Sequence, residues 1–280
     1  MKNSICLIAV LLLCGASWLP AAPAPATGPY RRTAERWLPV FVDGPAQGLH
    51  ALFSNSVYVA RVGMGAHVEI QPLEQGQAVG QPIRLGASHT YSDPKTRRGV
   101  GRNVVAFRSP PNPSINPKLL LFEGDLQDGV HFGRGLAFSE RAVEAWGWVE
   151  DPAGIASPTD YSLSLGFPAS HQFSEEVSLE ERQTVLAPFA LIAKPVSKQP
   201  VRYPFAKSVS EYVTPVTRVD LAGPLYGRRK VSVTAVAPGE GPLRLYGYPG
   251  FSPWQGFSVI LQKRDVANRN RRCQLRLSFD

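Results

Sequence analysis

The sequence predicts an all-β protein, made of one or two β-sandwich-like domains of antiparallel strands with a few short helices. Three observations support this prediction. Short apolar segments alternate with turn residues along most of the 280 residues. Several of these segments have a period of two, which places alternate side chains on opposite faces of a strand. The 26 prolines and 25 glycines disfavour long helices, because both residues interrupt them.

The composition excludes two other classes of protein. Hydrophobic residues make up 44% of the chain, which is too large a fraction for a disordered protein. Three cysteines are too few for a scaffold that is held together by disulfides. A globular protein with an apolar core fits the composition.

Residues 1–26 have the pattern of a secretory signal peptide. Lys2 precedes an apolar run over residues 5–13, and Ala24-Pro25-Ala26 offers small residues for cleavage after Ala26. The apolar run is shorter than the roughly 20 residues that a membrane-spanning helix requires. Leu13, directly before Cys14, argues against lipid attachment there. We therefore expect an exported protein, periplasmic or secreted, without a transmembrane segment once the signal is removed.

The chain after residue 26 keeps one cysteine and a positive charge. Residues 1–26 contain one Lys and no acidic residue, so the net charge falls from +8 to +7. Residues 27–36 are small and polar, and we expect a flexible N-terminal segment there. Cys273 alternates with Gln274, which predicts that its thiol shares an apolar strand face with Leu275.

Strand patterns of two kinds follow. Residues 161–165, 231–235 and 274–279 alternate between apolar and polar side chains, as half-buried strands do. Residues 118–122 and 257–261 are apolar nearly throughout, which predicts strands buried on both faces.

Two segments carry helix signals. Residues 139–145 are compatible with two helical turns that begin at Ser139. Ser178 and Glu181 have the capping-box spacing, which predicts a short helix to about residue 184.

The domain division is open between two arrangements. Proline-rich breaks occur at residues 109–117 and 151–158. We place a β-rich domain over residues 37–150. Residues 151–280 form either a second β-rich domain or a continuation of the same sandwich, and the length permits both.

No catalytic, cofactor or metal motif occurs in the sequence. It contains no G-x-S-x-G elbow, no H-E-x-x-H pair and no glycine-rich phosphate loop. One remaining cysteine and five dispersed histidines exclude a zinc site built on thiolates. The sequence therefore predicts no cofactor and no metal.

Two acidic segments are the catalytic candidates. Glu123 and Asp125 would share one face of a strand, although a polar turn over residues 123–129 explains them better. Glu144 and Glu150 lie near two tryptophans, Trp146 and Trp148, which suit a sugar cleft as well as a core. Glycoside hydrolases use a pair of such carboxylates.

An aromatic segment provides a binding candidate. Tyr246, Tyr248, Phe251 and Trp254 lie among glycines and prolines between two strands. Aromatic side chains with a polar group give large contact areas at low entropic cost. Such a loop could stack on sugar rings or cover a protein partner, or it could be a hairpin connection packed on the core.

Basic clusters provide a second binding candidate. Arg228 and Arg229 precede one strand, and Arg271 and Arg272 precede another; a further cluster includes Arg98 and Arg102. Such clusters attract polyanions. For an exported protein an anionic glycan or an acidic protein fits better than nucleic acid.

The alternating C-terminal segment, residues 274–280, is a candidate edge strand. An exposed edge could pair with a strand of another chain.

No motif marks a known family. The sequence favours an exported, non-enzymatic β-sandwich protein of the cell envelope or its surroundings. It would act in binding or in the assembly of an envelope structure or appendage, and would recognise glycans or acidic partners. The alternative is a secreted polysaccharide hydrolase that depends on the four carboxylates.

Overall fold

The computed structural model confirms the all-β prediction and the β-sandwich class. It describes residues 30–31, 49–63, 66–109, 114–168, 172–173, 177–195, 199–204, 209–213, 216–235, 243–248, 256–263 and 273–280. Two large sheets pack face to face, and strands account for most of the described residues. Among the described residues, no helix has the length and apolar character needed to cross a membrane.

The elements follow one another in chain order. The strands of the first half are β1 (Tyr30–Arg31), β2 (Leu49–Ser54), β3 (Tyr58–Gly63), β4 (Val68–Glu74), β5 (Gln77–Ala78), β6 (Ile83–Ser92), β7 (Gly99–Gly101), β8 (Val104–Ser109), β9 (Ser114–Ile115), β10 (Leu119–Leu126), β11 (His131–Phe138) and β12 (Ala142–Glu150). The second half has β13 (Asp160–Pro168), β14 (Gln172–Phe173), helix α1 (Leu179–Leu186), β15 (Ala190–Pro195), β16 (Val201–Pro204), β17 (Val209–Val213), β18 (Val216–Ala222), β19 (Val231–Ala235), β20 (Leu243–Tyr248), β21 (Gly256–Lys263) and β22 (Cys273–Phe279).

One sheet has nine strands and the other has eleven. The order in the nine-stranded sheet is β16-β15-β18-β19-β22-β12-β11-β10-β8. The path through the eleven-stranded sheet is β17-β20-β21-β13-β6-β4-β3-β2-β9, with β5 paired to β4 and β7 to β6. The pairings are antiparallel except for the parallel contact of β2 with β9. Strands from both sides of residue 151 share each sheet.

The described N-terminal residues form a short strand. Of the expected flexible segment 27–36, the structure describes Tyr30 and Arg31, which pair with β14. The rest of that segment and the expected signal peptide, residues 1–26, lie outside the described residues.

The core lies between the two sheets and contains the inward-facing side chains of both. Tyr58 on β3 is fully buried, and its ring stacks on Phe279 of β22 with 5.0 Å between ring centroids. Its hydroxyl lies 2.7 Å from the carbonyl oxygen of Ser139 and donates a hydrogen bond to it. This tyrosine therefore joins the two sheets through both an apolar and a polar contact.

The two helix predictions have different outcomes. Helix α1 confirms the capping box, because Ser178 accepts a hydrogen bond from the backbone of Glu181 and the Glu181 carboxylate accepts one from the backbone of Ser178. The helix expected over residues 139–145 is wrong. Residues 142–150 form β12, in which alternate side chains enter the core. Valines and tryptophans pack well on a pleated surface, and this favours the strand.

Strand β10 corrects a second prediction. Residues 118–122 were expected to be buried on both faces, but only Leu120 and Phe122 enter the core. Leu119 and Leu121 point to the other face and are 51% and 54% exposed. The face of the sheet turned away from the core therefore carries large apolar side chains in solvent.

The C-terminal strand is internal, so the prediction that residues 274–280 form a free edge is wrong. Strand β22 pairs with β12 on one side and with β19 on the other. Pairing with another chain would require the loss of one of these ladders. The thiol of Cys273 is buried on the same apolar face as Leu275, as its alternation predicted.

Arg102 also differs from the expectation of a solvated basic cluster, because it is 5% exposed. Its guanidinium forms an ion pair with Asp128 and donates a 2.6 Å hydrogen bond to the carbonyl oxygen of Ser157. The same group lies 4.3 Å from the ring centroid of Tyr91. Arg102 therefore connects its own loop to the turn that contains Asp128 and to the segment that contains Ser157.

The variant Arg102→Ala tests this structural role. We expect its free energy of unfolding to fall by about 2 kcal/mol, because a buried side chain, its ion pair with the exposed Asp128 and its hydrogen bond to Ser157 are lost together. The exposed Arg98→Ala variant is the control and should change stability by less than ~0.5 kcal/mol. Chemical denaturation of both variants measures the difference; equal stabilities would contradict the role.

Candidate binding face

The nine-stranded sheet has an outer face that is turned away from the core. Charged and polar side chains of neighbouring strands lie side by side on it. In the ladder from β10 through β11 to β12, Asp125 is opposite His131, and His131 is opposite Glu150. Residues that are opposite one another in register share a face. A carboxylate, an imidazole and a second carboxylate therefore form a row across three strands.

The next rows on this face are aromatic and apolar. Residues two positions along a strand return to the same face. The register consequently places three further cross-strand rows beside the first: Glu123, Gly133 and Trp148; Leu121, Gly135, Trp146 and Gln274; and Leu119, Ala137, Glu144 and Arg276.

Both tryptophans lie across glycines of the neighbouring strand. A Cβ atom added to Gly135 would lie 2.1 Å from Cε2 of Trp146, and one added to Gly133 would lie 2.3 Å from Cε2 of Trp148. The indole rings thus occupy the space that side chains on β11 would fill. Two glycines in alternate positions allow the rings to rest directly on the sheet.

The outcome is an apolar surface that we call the tryptophan platform, defined by Leu119, Leu121, Gly133, Gly135, Trp146 and Trp148. Trp148 is nearly covered, at 9% exposed, whereas Trp146 is partly exposed. The two leucines contribute the most exposed apolar area. Exposed apolar patches with a polar rim mark interaction sites in soluble proteins.

One side of the platform is bordered by a hydrogen-bonded ion pair. Nη1 of Arg276 lies 3.2 Å from Oε1 of Glu144. Nε2 of Gln274 donates to Oε2 of the same carboxylate over 3.3 Å. Both carboxylate oxygens are thereby oriented by neighbours on β22, which fixes the side chain beside the platform.

The other side of the platform is bordered by a hydrogen-bonded group of three polar side chains. Oδ1 of Asp125 lies 2.5 Å from Nδ1 of His131 and 3.1 Å from Nε of Arg108. The His131 side chain is 44% exposed, so its ring remains accessible to a ligand. Carboxylate, imidazole and guanidinium supply acceptors and donors to hydroxyl groups.

The outer face at these strands is acidic, although the protein as a whole is basic. Four carboxylates lie on it, from Glu123, Asp125, Glu144 and Glu150, against the guanidinium groups of Arg108 and Arg276. No three His, Cys, Asp or Glu side chains of the described ranges converge closely enough to hold a metal ion.

The four carboxylates singled out in the sequence thus share one surface. The turn proposed for residues 123–129 is wrong in its first half: β10 continues to Leu126, and the tight turn occupies Gln127–Gly129. Glu123 and Asp125 share a strand face, and so do Glu144, Trp146 and Trp148, as the period of two predicted.

The aromatic candidates lie elsewhere or outside the described residues. Tyr246 and Tyr248 belong to β20, which pairs with β17 and β21 in the eleven-stranded sheet. Phe251 and Trp254 lie outside the described residues. The structure does not bring β20 to the tryptophan platform.

Of the four basic candidates, the structure describes two. Arg228 is exposed in the turn after β18, whereas Arg229 is partly buried and its Nε donates a 2.7 Å hydrogen bond to the carbonyl oxygen of Leu73. Arg229 therefore has a structural contact in addition to its charge. Arg271 and Arg272 lie outside the described residues.

Sequence reasoning missed five residues of this face. Leu119 and Leu121 were assigned to a strand buried on both faces, and Arg108, His131 and Arg276 were not singled out as a group. The only local signal is the alternation of Gly133 and Gly135 opposite two tryptophans, and it becomes informative once β11 and β12 are known to pair.

Comparisons with known proteins show only a distant likeness of fold. No protein-family model matches the chain, and no curated protein does. The Slr1438 protein of Synechocystis sp. PCC 6803 is 10% identical with a TM-score of 0.49, over 85% of this chain and 96% of its own. A galactose mutarotase-like protein of Lactobacillus casei is 9% identical with a TM-score of 0.49, over 83% and 99%. A copper-containing benzylamine oxidase of Hansenula polymorpha is 8% identical with a TM-score of 0.33, over 85% and 61%.

The variant Gly135→Ala tests the seating of the tryptophan. The added methyl group would collide with the indole of Trp146, so we expect a shifted tryptophan fluorescence spectrum and a loss of about 1–3 kcal/mol in stability. Gly99→Ala is the matched control, since a Cβ there meets no atom within 4 Å. Identical spectra and denaturation midpoints for the two variants would show that Trp146 does not rest on Gly135.

Proposed function

We propose that this is an exported, non-enzymatic binding protein that holds a glycan on the outer face of its nine-stranded sheet. The tryptophan platform is the observation that carries the proposal. It presents Trp146 with Leu119 and Leu121 on a surface that the paired strands hold rigid. Export rests on the signal-peptide pattern of residues 1–26.

The chemistry of a sugar ring matches this surface. A pyranose ring has an apolar face of C–H groups, which stacks on an aromatic side chain, and a rim of hydroxyl groups, which need donors and acceptors. The platform offers the first partner. The oriented carboxylate of Glu144 and the Asp125–His131 pair offer the second on either side of it.

Charge favours a neutral glycan over an anionic one at this face. Among the described residues of strands β10 to β12 and of their neighbours β8 and β22, a polyanion would approach four carboxylates and the two guanidinium groups of Arg108 and Arg276 on this face. Like charges at short range disfavour binding. Anionic glycans and acidic proteins fit the basic clusters better, among which Arg228 is exposed.

Rigidity of the face also favours binding. Its ligand-facing side chains lie in strands that pair on both sides within the sheet. These side chains are already ordered in the folded protein, so little conformational entropy is lost when the ligand binds.

The experiment is a binding assay with matched leucine variants. The full protein is applied to a microarray of neutral and anionic glycans, and the affinity of each hit is measured by isothermal titration calorimetry. We expect neutral glycans to bind, and Trp146→Ala and Leu121→Ala to weaken binding by about 10-fold or more. Leu179→Ala, which removes an equally exposed leucine on helix α1, should bind as the unmodified protein does.

Two results would overturn the proposal. Unchanged affinity in Trp146→Ala and Leu121→Ala would place the ligand on another surface. Binding of anionic glycans alone, with an affinity that falls steeply as salt is added, would assign recognition to the basic clusters instead.

A polysaccharide hydrolase is the second candidate, and one observation favours it. Asp125 and Glu150 lie in the same row with one strand between them, so their Cα atoms are about 10 Å apart. Inverting glycosidases hold their two carboxyl groups about 6.5–9.5 Å apart, and side chains that extend from such a row could place theirs in that range. Release of reducing ends from a bound glycan, abolished in Glu150→Gln with binding retained, would select the hydrolase over the binding protein.

A further inference from the structure

The core between the two sheets contains three polar side chains that point away from the outer face. They are Arg134 on β11, Tyr161 on β13 and His89 on β6. Arg134 is 5% exposed and Tyr161 is fully buried. A guanidinium group at this depth is unusual, because charged side chains are rarely buried without a partner.

The three side chains converge from opposite sheets. Arg134 is directly opposite Gly147 in the ladder between β11 and β12. The hydroxyl of Tyr161 reaches across the core to that glycine: a Cβ on Gly147 would lie 2.1 Å from it. His89 lies opposite Tyr161 on the neighbouring strand of the eleven-stranded sheet, with 5.3 Å between the ring centroids.

Several polar atoms of this group have no hydrogen-bond partner among the described residues. They are Nε and Nη2 of Arg134, the hydroxyl of Tyr161 and Nε2 of His89. No carboxylate of the described residues forms an ion pair with Arg134. A buried charge and buried donors destabilise the folded state unless something satisfies them.

The protonation states of Tyr161, His89 and Arg134 leave all three side chains able to donate hydrogen bonds. Burial raises the pKa of the Tyr161 hydroxyl, which therefore keeps its proton. Burial, together with repulsion by the Arg134 guanidinium, lowers the pKa of His89 to about 4. The imidazole is then neutral at pH 7 and can donate through Nε2, while the guanidinium supplies the positive charge.

We propose that Arg134, Tyr161 and His89 form a binding site for a small monovalent anion, such as chloride, between the two sheets. The guanidinium Nε–H and Nη2–H groups and the tyrosine hydroxyl would donate to it, and His89 would donate from the third side. A cation is excluded by the charge of Arg134. The anion would supply the counter-charge that the described residues lack.

Such an anion would stabilise the folded protein. It would contact β11 of the nine-stranded sheet together with β6 and β13 of the eleven-stranded sheet. A ligand that binds only the folded state stabilises it by RT ln(1 + c/Kd), where c is the ligand concentration, so the effect grows with ligand concentration. The site is separate from the tryptophan platform, so its failure would leave the proposed glycan binding untouched.

The first test is thermal unfolding of the full protein in sodium chloride, sodium bromide and sodium gluconate at equal ionic strength. We expect the melting temperature to rise with the logarithm of halide concentration above the Kd of the site, and to change less with the bulky gluconate. In Tyr161→Phe about 10-fold more halide should be needed for the same stabilisation, because one charge-assisted hydrogen bond is lost.

The second test locates the ion. In crystals grown in bromide, we expect an anomalous peak beside the guanidinium of Arg134. Arg134→Met should abolish the halide effect, and Arg98→Met, at an exposed arginine, should retain it. If Arg134→Met fails to fold, Tyr161→Phe and the bromide position still decide the question.

Two observations would overturn the anion site. One is identical stabilisation by halide and gluconate in the unmodified protein. The other is a crystal structure in which a water molecule or a carboxylate of this chain contacts Arg134 and bromide does not.

Discussion

The alternation of strand β12 is the constraint on which both the core and the candidate site depend. Its odd-numbered residues, Val143 to Val149, enter the core, and its even-numbered residues, Glu144 to Glu150, form the centre of the outer face. A shift of one residue in register would exchange the two sets and place carboxylates between the sheets. Because β12 is paired with β11 over residues 143–150 and with β22 over residues 142–147, that register is held from both sides.

Local patterns in the sequence were sufficient for the elements and for parts of the site. The all-β class, the capping box of helix α1 and the shared face of Glu144, Trp146 and Trp148 could each be derived from spacing alone. Errors arose where the answer depends on distant residues. The apolar run at Leu119 to Phe122 does not reveal that one face meets solvent, and residues 274–280 do not reveal that β19 and β12 flank them. Strand order is a long-range property, so the row of Asp125, His131 and Glu150 became visible only with the register.

Charged side chains have different surroundings on the two faces of the nine-stranded sheet. On the outer face, opposite charges lie next to one another, as Glu144 does to Arg276 and Asp125 to Arg108, and at strands β10 to β12 the excess is negative. On the inner face, the guanidinium of Arg134 lies among apolar side chains and a tyrosine hydroxyl. Solvent screens the first arrangement, whereas burial magnifies the second. The outer face is therefore suited to an exchangeable ligand and the core position to a resident one.

The central claim is that the outer face, and not another part of the sandwich, contacts the ligand. Two-dimensional NMR of the full protein, recorded while a neutral oligosaccharide identified on the array is added, tests it most directly. The account predicts that the indole N–H signal of Trp146 and the methyl signals of Leu119 and Leu121 shift progressively, while the methyl signals of Leu179 stay in place. Shifts confined to other signals, with those of Trp146 and the two leucines unchanged, would contradict it.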